Sequence, residues 1–415
     1  MALSRSGIIA ALDVGSTKIC CFVARGDGGG GARVIGIGHQ VSRGMKGGAI
    51  TDMDEAETAI RAAVDAAERM ARETVQDVVI SISGGYPSSR LIDVEVDIAG
   101  HEIGDGDLRR ALREADAEAH AAPQDREILH QIPAGYSIDG TPGYRDPRGL
   151  YGARMGLNLN VVTTGLGPVR NLRQAAQRCH LDIAGVVVSP YAAGLASLVE
   201  DETDLGVTVI DMGGRTTTIG VFYDGSLIHV DCVPCGGQHV TNDIARGLST
   251  PTGQAERIKT LYGSAIAGPA DDRDMISVPQ LGESGPDAVQ QVPRSMLIGV
   301  IQPRIEETLE LVRDRLELSG LARVAGRRAV LTGGACQLTG VRELTARVLD
   351  KQVRVGRPLG LQGLAEATEG PAFAVAAGLI RYAVRSPMEL RDDGHRVDDG
   401  GGRLQRIGRW FRENF

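Results

Sequence analysis

Aromatic side chains are scarce in this chain of 415 residues: one Trp, five Phe and eight Tyr, 3% of the total. A core so poor in rings has to be built from Val, Leu, Ile and Ala packed between sheets and helices. Long apolar runs are missing too. None approaches the roughly 20 residues that cross a bilayer, and the run at residues 8–12 stops at Asp13, too soon for a secretory leader. The body of the chain is therefore expected in the cytosol. Basic charge is not in excess, since 45 Lys and Arg face 53 Asp and Glu for a net charge of −8. That balance excludes wholesale nucleic-acid binding, which needs clustered cations. The six cysteines, Cys20, Cys21, Cys179, Cys232, Cys235 and Cys336, form neither a disulfide framework nor paired zinc knuckles. Cys232 and Cys235 have redox-motif spacing but no second pair, and they sit in a strand-like stretch, so buried free thiols are expected.

What is present is apolar bulk, 42% of the chain, enough for two to four domains, and a hidden duplication. "GIIAALDVGSTKICCFVA" and "LGVTVIDMGGRTTTIGVF" read alike: an apolar strand ending at Asp, a Gly turn with hydroxyl residues, then a second apolar strand. Each continues into a third strand, "ARVIGIGHQV" or "SLIHVDCVP", and then through Gly-Gly into a helix. In the first helix Ala56, Ala59, Ile60, Ala63, Val64, Ala67 and Met70 recur at three- and four-residue steps, with Thr51 and Asp54 as its cap. A ligand is expected between two such units.

The paired turns suit a phosphate chain. Gly15 and the Gly213–Gly214 pair expose backbone N–H groups, Ser16, Thr17, Thr216 and Thr217 add hydroxyls, and Lys18 adds a positive charge. Asp13 and Asp211 would repel phosphate, so they are read as holding Mg²⁺ through its waters, one from each side, as the catalytic pair. A third stretch, "RRAVLTGGACQLTGVREL", gives a strand ending at Gly333 and Gly334, where a flat purine can approach the backbone. Glu256 and Lys259 share one helix face and suit a ribose hydroxyl and the purine edge.

Three such motifs in this order resemble the phosphate-1, phosphate-2 and adenosine motifs of the actin, Hsp70 and sugar-kinase superfamily. Within it the chain is similar nearly end to end to the FtsA family of bacterial cell-division proteins, through "SISGGYPSS", "REILHQIPAGYSIDG", "PRGLYGARM", "LSTPTGQAERIK", "VIQPRIEETLEL" and the final segment. The resemblance implies an α/β, actin-like two-lobed fold of duplicated ribonuclease-H-like units, with ATP and Mg²⁺ between the lobes. It divides the chain into a lobe-one core at 1–86 and 163–203 and an inserted subdomain at 87–162 for self-association. A lobe-two core follows at 204–242 and 326–385, with a helical subdomain at 243–325. In lobe one the helix after the insertion is expected from Pro168. Arg215 stands where the family has a third Gly, and Thr218 where an Asp is common; a cation at 215 either reaches a phosphate or points to solvent. "GDGGGG" at residues 26–31 reads as a flexible surface loop.

Function follows from the same resemblance. It implies head-to-tail filaments, docking of the C-terminal tail of the tubulin-like division protein FtsZ by Arg294, Arg304 and Glu307, with Ile305 in place of an aromatic, and recruitment of later divisome proteins. No base beside an acceptor pocket is legible, so no phosphotransfer to a small molecule is expected, and with Arg215 in the second phosphate turn at most slow ATP hydrolysis is expected. A soluble ATP-dependent phosphotransferase, or another actin-like scaffold of the pilus-assembly type, is the competing reading.

Residues 386–402, polar and Gly-ended, read as a disordered linker. Residues 403–415 place Leu404, Ile407, Phe411 and Phe415 on one helical face, Trp410 at its edge, and Arg406, Arg409 and Arg412 opposite. That is the pattern of a helix lying on an anionic membrane surface, which the resemblance implies is the cytoplasmic face of the inner membrane at the septum. One such helix binds reversibly, whereas many on a filament hold by avidity.

Overall fold

The computed structural model describes residues 7–27, 31–121, 125–282 and 289–385. Part of the Gly-rich loop (28–30), the expected linker (386–402) and the expected membrane helix (403–415) lie outside the described residues.

Lobe one opens with strands β1 (Ile8–Val14) and β2 (Lys18–Gly26), an antiparallel hairpin in which Asp13 faces Cys20. Strand β3 (Ala32–Val41), the small hairpin β4 (Met45–Lys46) and β5 (Ala49–Ile50), helix α1 (Met53–Ala71) and strand β6 (Asp77–Ile82) follow. On α1 the expected stripe from Ala56 to Ala67 is buried against β2 and β3. Its last member is a correction: Met70 is 56% exposed, and Ala71, one residue on, is the side chain that packs beneath Gly36 of β3. The cap is also displaced by one residue. Asp52 holds the extended cap conformation and accepts from Asp54 N and Glu55 N at 3.1 and 3.0 Å, whereas the Thr51 hydroxyl donates to Gly44 O at 3.3 Å.

An insertion then leaves the lobe: β7 (Ser88–Asp97), α2 (Asp105–His120), β8 (Arg126–Ile138), β9 (Thr141–Tyr144) and β10 (Arg154–Gly165), a four-stranded sheet in the order β7-β10-β8-β9 with α2 on one face. Helix α3 (Leu166–Arg178) begins two residues before Pro168, which falls within its first turn, where a missing N–H is harmless. Strand β11 (Asp182–Val188) completes a sheet ordered β11-β6-β1-β2-β3, and α4 (Ser189–Ser197) and α5 (Glu200–Leu205) lead out.

Lobe two repeats the scheme with β12 (Val207–Met212), β13 (Thr217–Tyr223), β14 (Ser226–Val233), α6 (Gly237–Gly247), α7 (Thr252–Tyr262), β15 (Met275–Pro279), β16 (Val289–Pro293), α8 (Arg294–Leu318), β17 (Arg328–Thr332), α9 (Val341–Leu349), β18 (Gln352–Val355) and α10 (Ala374–Arg385). Its sheet runs β14-β13-β12-β17-β18, the order of lobe one strand for strand. β12 is buried along its whole length, as a central strand covered on both faces must be, and so reads as one apolar run. Between the two sheets lie α4 and α10. They share one core with Ala11, Phe22 and Val79 of lobe one and Val209, Phe222 and Val330 of lobe two.

Candidate functional site

Both hairpins close on the same two-residue loop. Gly15 N donates to Lys18 O at 3.0 Å, and Gly213 N donates to Thr216 O at 2.9 Å. The loop tips, Ser16–Thr17 and Gly214–Arg215, abut across the cleft: a Cβ on Gly214 would lie 2.4 Å from the Thr17 methyl carbon, so that position admits no side chain without parting the tips. Ser16 Oγ accepts from Gly48 N at 3.0 Å, which leaves its proton for a ligand. Thr217 departs from the expectation of a phosphate donor. Strand side chains alternate, so Thr216 and Thr218 share one face while the Thr217 hydroxyl donates to Cys235 O at 2.8 Å on the other.

Asp13 and Asp211 end β1 and β12. Asp13 Oδ1 accepts from Ser81 Oγ at 2.7 Å, and burial raises its pKa against the pull of that hydroxyl and of Lys18. Asp211 is 7% exposed. Burial first, then the negative charge of Asp13, push its pKa up to about 7, with the Thr332 hydroxyl at 3.5 Å opposing weakly. Opposite Asp211 in the hairpin register, the buried Thr218 hydroxyl also opposes the rise, less than Thr332 does. Two carboxylates that resist ionisation fit a cation. Among the described residues no three His, Cys, Asp or Glu side chains form a direct cage. A pair of carboxylates that leaves most positions to water and phosphate is the way Mg²⁺ is usually bound.

The other expected residues gather around this pair. Lys18 Nζ donates to Ala372 O at 2.7 Å and lies 3.3 Å from the centroid of the Phe373 ring, so its charge is anchored to the turn before α10. Burial lowers its pKa, while Asp13 and Asp211 act against that. Gly333 has φ +85°, and a Cβ there would sit 2.4 Å from Met212 O and 2.6 Å from Asp211 Oδ1. A Cβ on Gly334 would meet nothing within 4 Å, which leaves room beside the backbone for a flat ligand. On α7 Lys259 Nζ donates to Glu256 Oε2 at 2.7 Å and to Gly237 O at 3.1 Å, and Gly237 N reaches Gly213 O at 3.0 Å. The expected adenosine pair thus adjoins the second hairpin. Arg215 is half-buried and lines a cavity between the lobes rather than open solvent.

Sequence reasoning missed Ser81, which reaches Asp13 only because β6 pairs parallel to β1. It also missed Ala372 and Phe373. The cysteines behave as expected of structural thiols: all six are free, five are buried, and burial pushes Cys21, Cys232 and Cys336 up to about 12.

The expected partner-binding residues lie on α8. Arg294 pairs with Asp271 at 2.7 Å, and Arg304 is held between Asp243 and Glu307. The two arginines are about 15 Å apart along the helix axis, and Ile305 faces the core, so it offers no partner an apolar contact. Among the described residues no helix is long and apolar enough to cross a membrane.

Comparison with known proteins adds an independent line. A family described as "Cell division protein FtsA" matches residues 208–378, and "SHS2 domain inserted in FTSA" matches residues 84–163, the stretch that carries β7–β10. The chain is 45% identical over 429 aligned residues to the cell division protein FtsA of Agrobacterium fabrum, covering 100% of this chain and 96% of that one. Among solved structures, the PilM–PilN type IV pilus biogenesis complex aligns with a TM-score of 0.64 at 17% identity, over 91% of this chain and 98% of the other. MreB5 of Spiroplasma citri bound to ADP aligns with a TM-score of 0.54 at 13% identity, over 91% and 98%. At such identities the likeness is one of fold, and the fold is actin-like with an inserted subdomain.

Proposed function

Because the chain belongs to the FtsA family of cell-division proteins, we propose that it is an ATP-dependent adaptor that ties the FtsZ ring to the cytoplasmic face of the inner membrane at the septum. The observation that carries this reading is the abutting pair of hairpins with Asp13 and Asp211 behind them, two matched turns facing one cleft. ATP lies there, its phosphates on the tips and its adenosine toward Gly333, Gly334, Glu256 and Lys259. Mg²⁺ is held through water by Asp13 and Asp211 and neutralises the phosphate charge. With both aspartates committed to the ion, hydrolysis is slow, and nucleotide acts by setting the angle between the lobes.

The insertion at 87–162 supplies a head-to-tail contact that does not close and so builds filaments. The outer side of α8, with Arg294, Arg304 and Glu307, receives the FtsZ tail, and residues 403–415 lie on anionic lipid. The fold is shared with a pilus biogenesis protein at 17% identity, but 45% identity over the whole chain favours division over pilus assembly. Electron microscopy of the full chain with ATP on an anionic lipid monolayer tests the reading. Filaments lying on lipid that vanish from it when residues 403–415 are deleted are expected. Equal decoration with and without that segment, or no dependence on ATP, would refute it.

A further inference from the structure

Lobe two's sheet ends at β14, and an uncovered edge strand invites unwanted pairing. Here the insertion covers it. Helix α2 fills one face of the insertion's sheet, where it meets Leu157, Leu159 and Val161 of β10; Asn160 alternates to the other face. Across that second face lies β14. Val230 N donates to Ser89 Oγ on β7 at 2.8 Å, and Asn160 Nδ2 on β10 donates to Leu227 O at 2.8 Å. Just past β9, Arg145 Nε donates to Asp224 Oδ1 at 2.6 Å and its Nη2 to Asp204 Oδ1 at 2.9 Å. Successive points of lobe two thus meet the insertion in turn through its side chains, since among the described residues no ladder joins the two sheets.

This seam is made of weak parts. Arg145 is exposed, so its two ion pairs are screened by salt. The Ser89 hydroxyl accepts from Val230 N and turns its own proton to His229 Nδ1 at 3.4 Å, which puts the imidazole proton on Nε2. Among the described residues neither the buried His229 Nε2 nor the buried Asn160 Oδ1 has a hydrogen-bond partner. Parting the seam returns both atoms to water, which offsets part of what the contact gains. The neck that joins the insertion to lobe one is the opposite. Arg126 donates to Tyr86 O and Ser88 Oγ at 2.8 Å and to Thr163 Oγ1 and O at 2.9 and 3.0 Å. The Thr164 hydroxyl donates to Gly84 O at 2.8 Å, and His130 Nε2 accepts from Val188 N of β11 at 3.1 Å.

We infer that the seam is a latch: the insertion stays fixed to lobe one at its neck, holds lobe two at the present angle through β14, and lets go along β14 when the lobes reorient. Release bares the β14 edge and the covered face of the insertion's sheet together. The surface that the insertion presents therefore depends on the angle between the lobes. That nucleotide works the latch rests on the reading proposed above; the latch itself rests on the seam.

Hydrogen exchange of the full chain, read by mass spectrometry without nucleotide, tests the latch. Peptides spanning residues 224–233 should exchange about fivefold faster in Arg145→Gln, with Arg145→Lys between that variant and the wild type. Raising salt to about 1 M, where charges are screened within about 3 Å, should speed the same peptides in the wild type and add nothing in Arg145→Gln. Peptides at the neck, residues 126–132, should not change in any of these. The salt arm needs no substitution, so a variant that fails to fold leaves the test intact. Exchange along β14 as slow as at the neck and indifferent to both salt and Arg145→Gln would mean fixed packing and overturn the inference. Addition of ATP·Mg then separates the latch from the nucleotide reading: a seam that responds to salt and to Arg145→Gln but not to ATP keeps the latch and removes nucleotide as what works it.

Discussion

The two hairpins share a turn, a register and a terminal aspartate, yet the two aspartates live in different surroundings. Asp13 is half-buried and receives a hydrogen bond of 2.7 Å from Ser81. Asp211 is almost wholly buried, and its hydroxyl partner Thr332 stands at 3.5 Å. Duplication preserved the backbone, whereas the electrostatics diverged. Lobe one holds an anion that is already partly stabilised; lobe two holds one that needs a cation or a proton.

Four experiments break or sharpen that contrast. The largest effect is expected from removing either carboxylate: Asp13→Ala and Asp211→Ala should each lower affinity for ATP·Mg by about 10- to 100-fold, the usual loss for groups that act on a metal through its outer shell, read by nucleotide titration with and without Mg²⁺. Equal affinity in either variant would show that the hairpins do not act as a pair. Next comes contact between the tips. Gly214→Val forces its side chain into Thr17, a strain of about 1 to 3 kcal/mol, visible as a lower denaturation midpoint that Thr17→Gly in the same chain should relieve.

The third is a pH dependence. The folded-state pKa of Asp211 is about 7 against an ordinary value of 3.8. In metal-free protein its contribution to stability is therefore intact below the ordinary value and is lost as pH rises toward 7. Asp211→Asn should gain on the wild type in melting temperature across that interval; parallel curves would mean that Asp211 ionises at its ordinary value. The smallest effect is expected from Ser81→Ala, which removes one hydrogen bond and about 1 kcal/mol of ATP·Mg affinity, with a deficit that widens as pH falls because Asp13 then protonates more readily.

Much of the architecture was legible in the chain because its signals are local and repeated. Apolar runs that stop at Asp and Gly marked β1 and β12, and the spacing of alanines marked α1. The short strands β4, β5 and β9 were not legible, since segments of two to four residues carry no period. At the site, Asp13, Asp211 and the glycines could be read from their turns. The direction of Thr217 could not, because it depends on where β13 begins, and the surroundings of Arg215 depend on Lys46 and Tyr86, which are distant in sequence and brought close only by the packing of the lobes.

The layer formed by α4 and α10 has a consequence for any attempt to divide the molecule. Gly206, at φ +97°, is the joint between α5 and β12 and looks like a natural place to cut. Since one apolar core draws on both sheets and both helices, severing the chain there leaves two fragments, each with a bared greasy surface whose complement is the other piece. Expressed separately they should be insoluble; expressed together they should find one another and rebuild the whole.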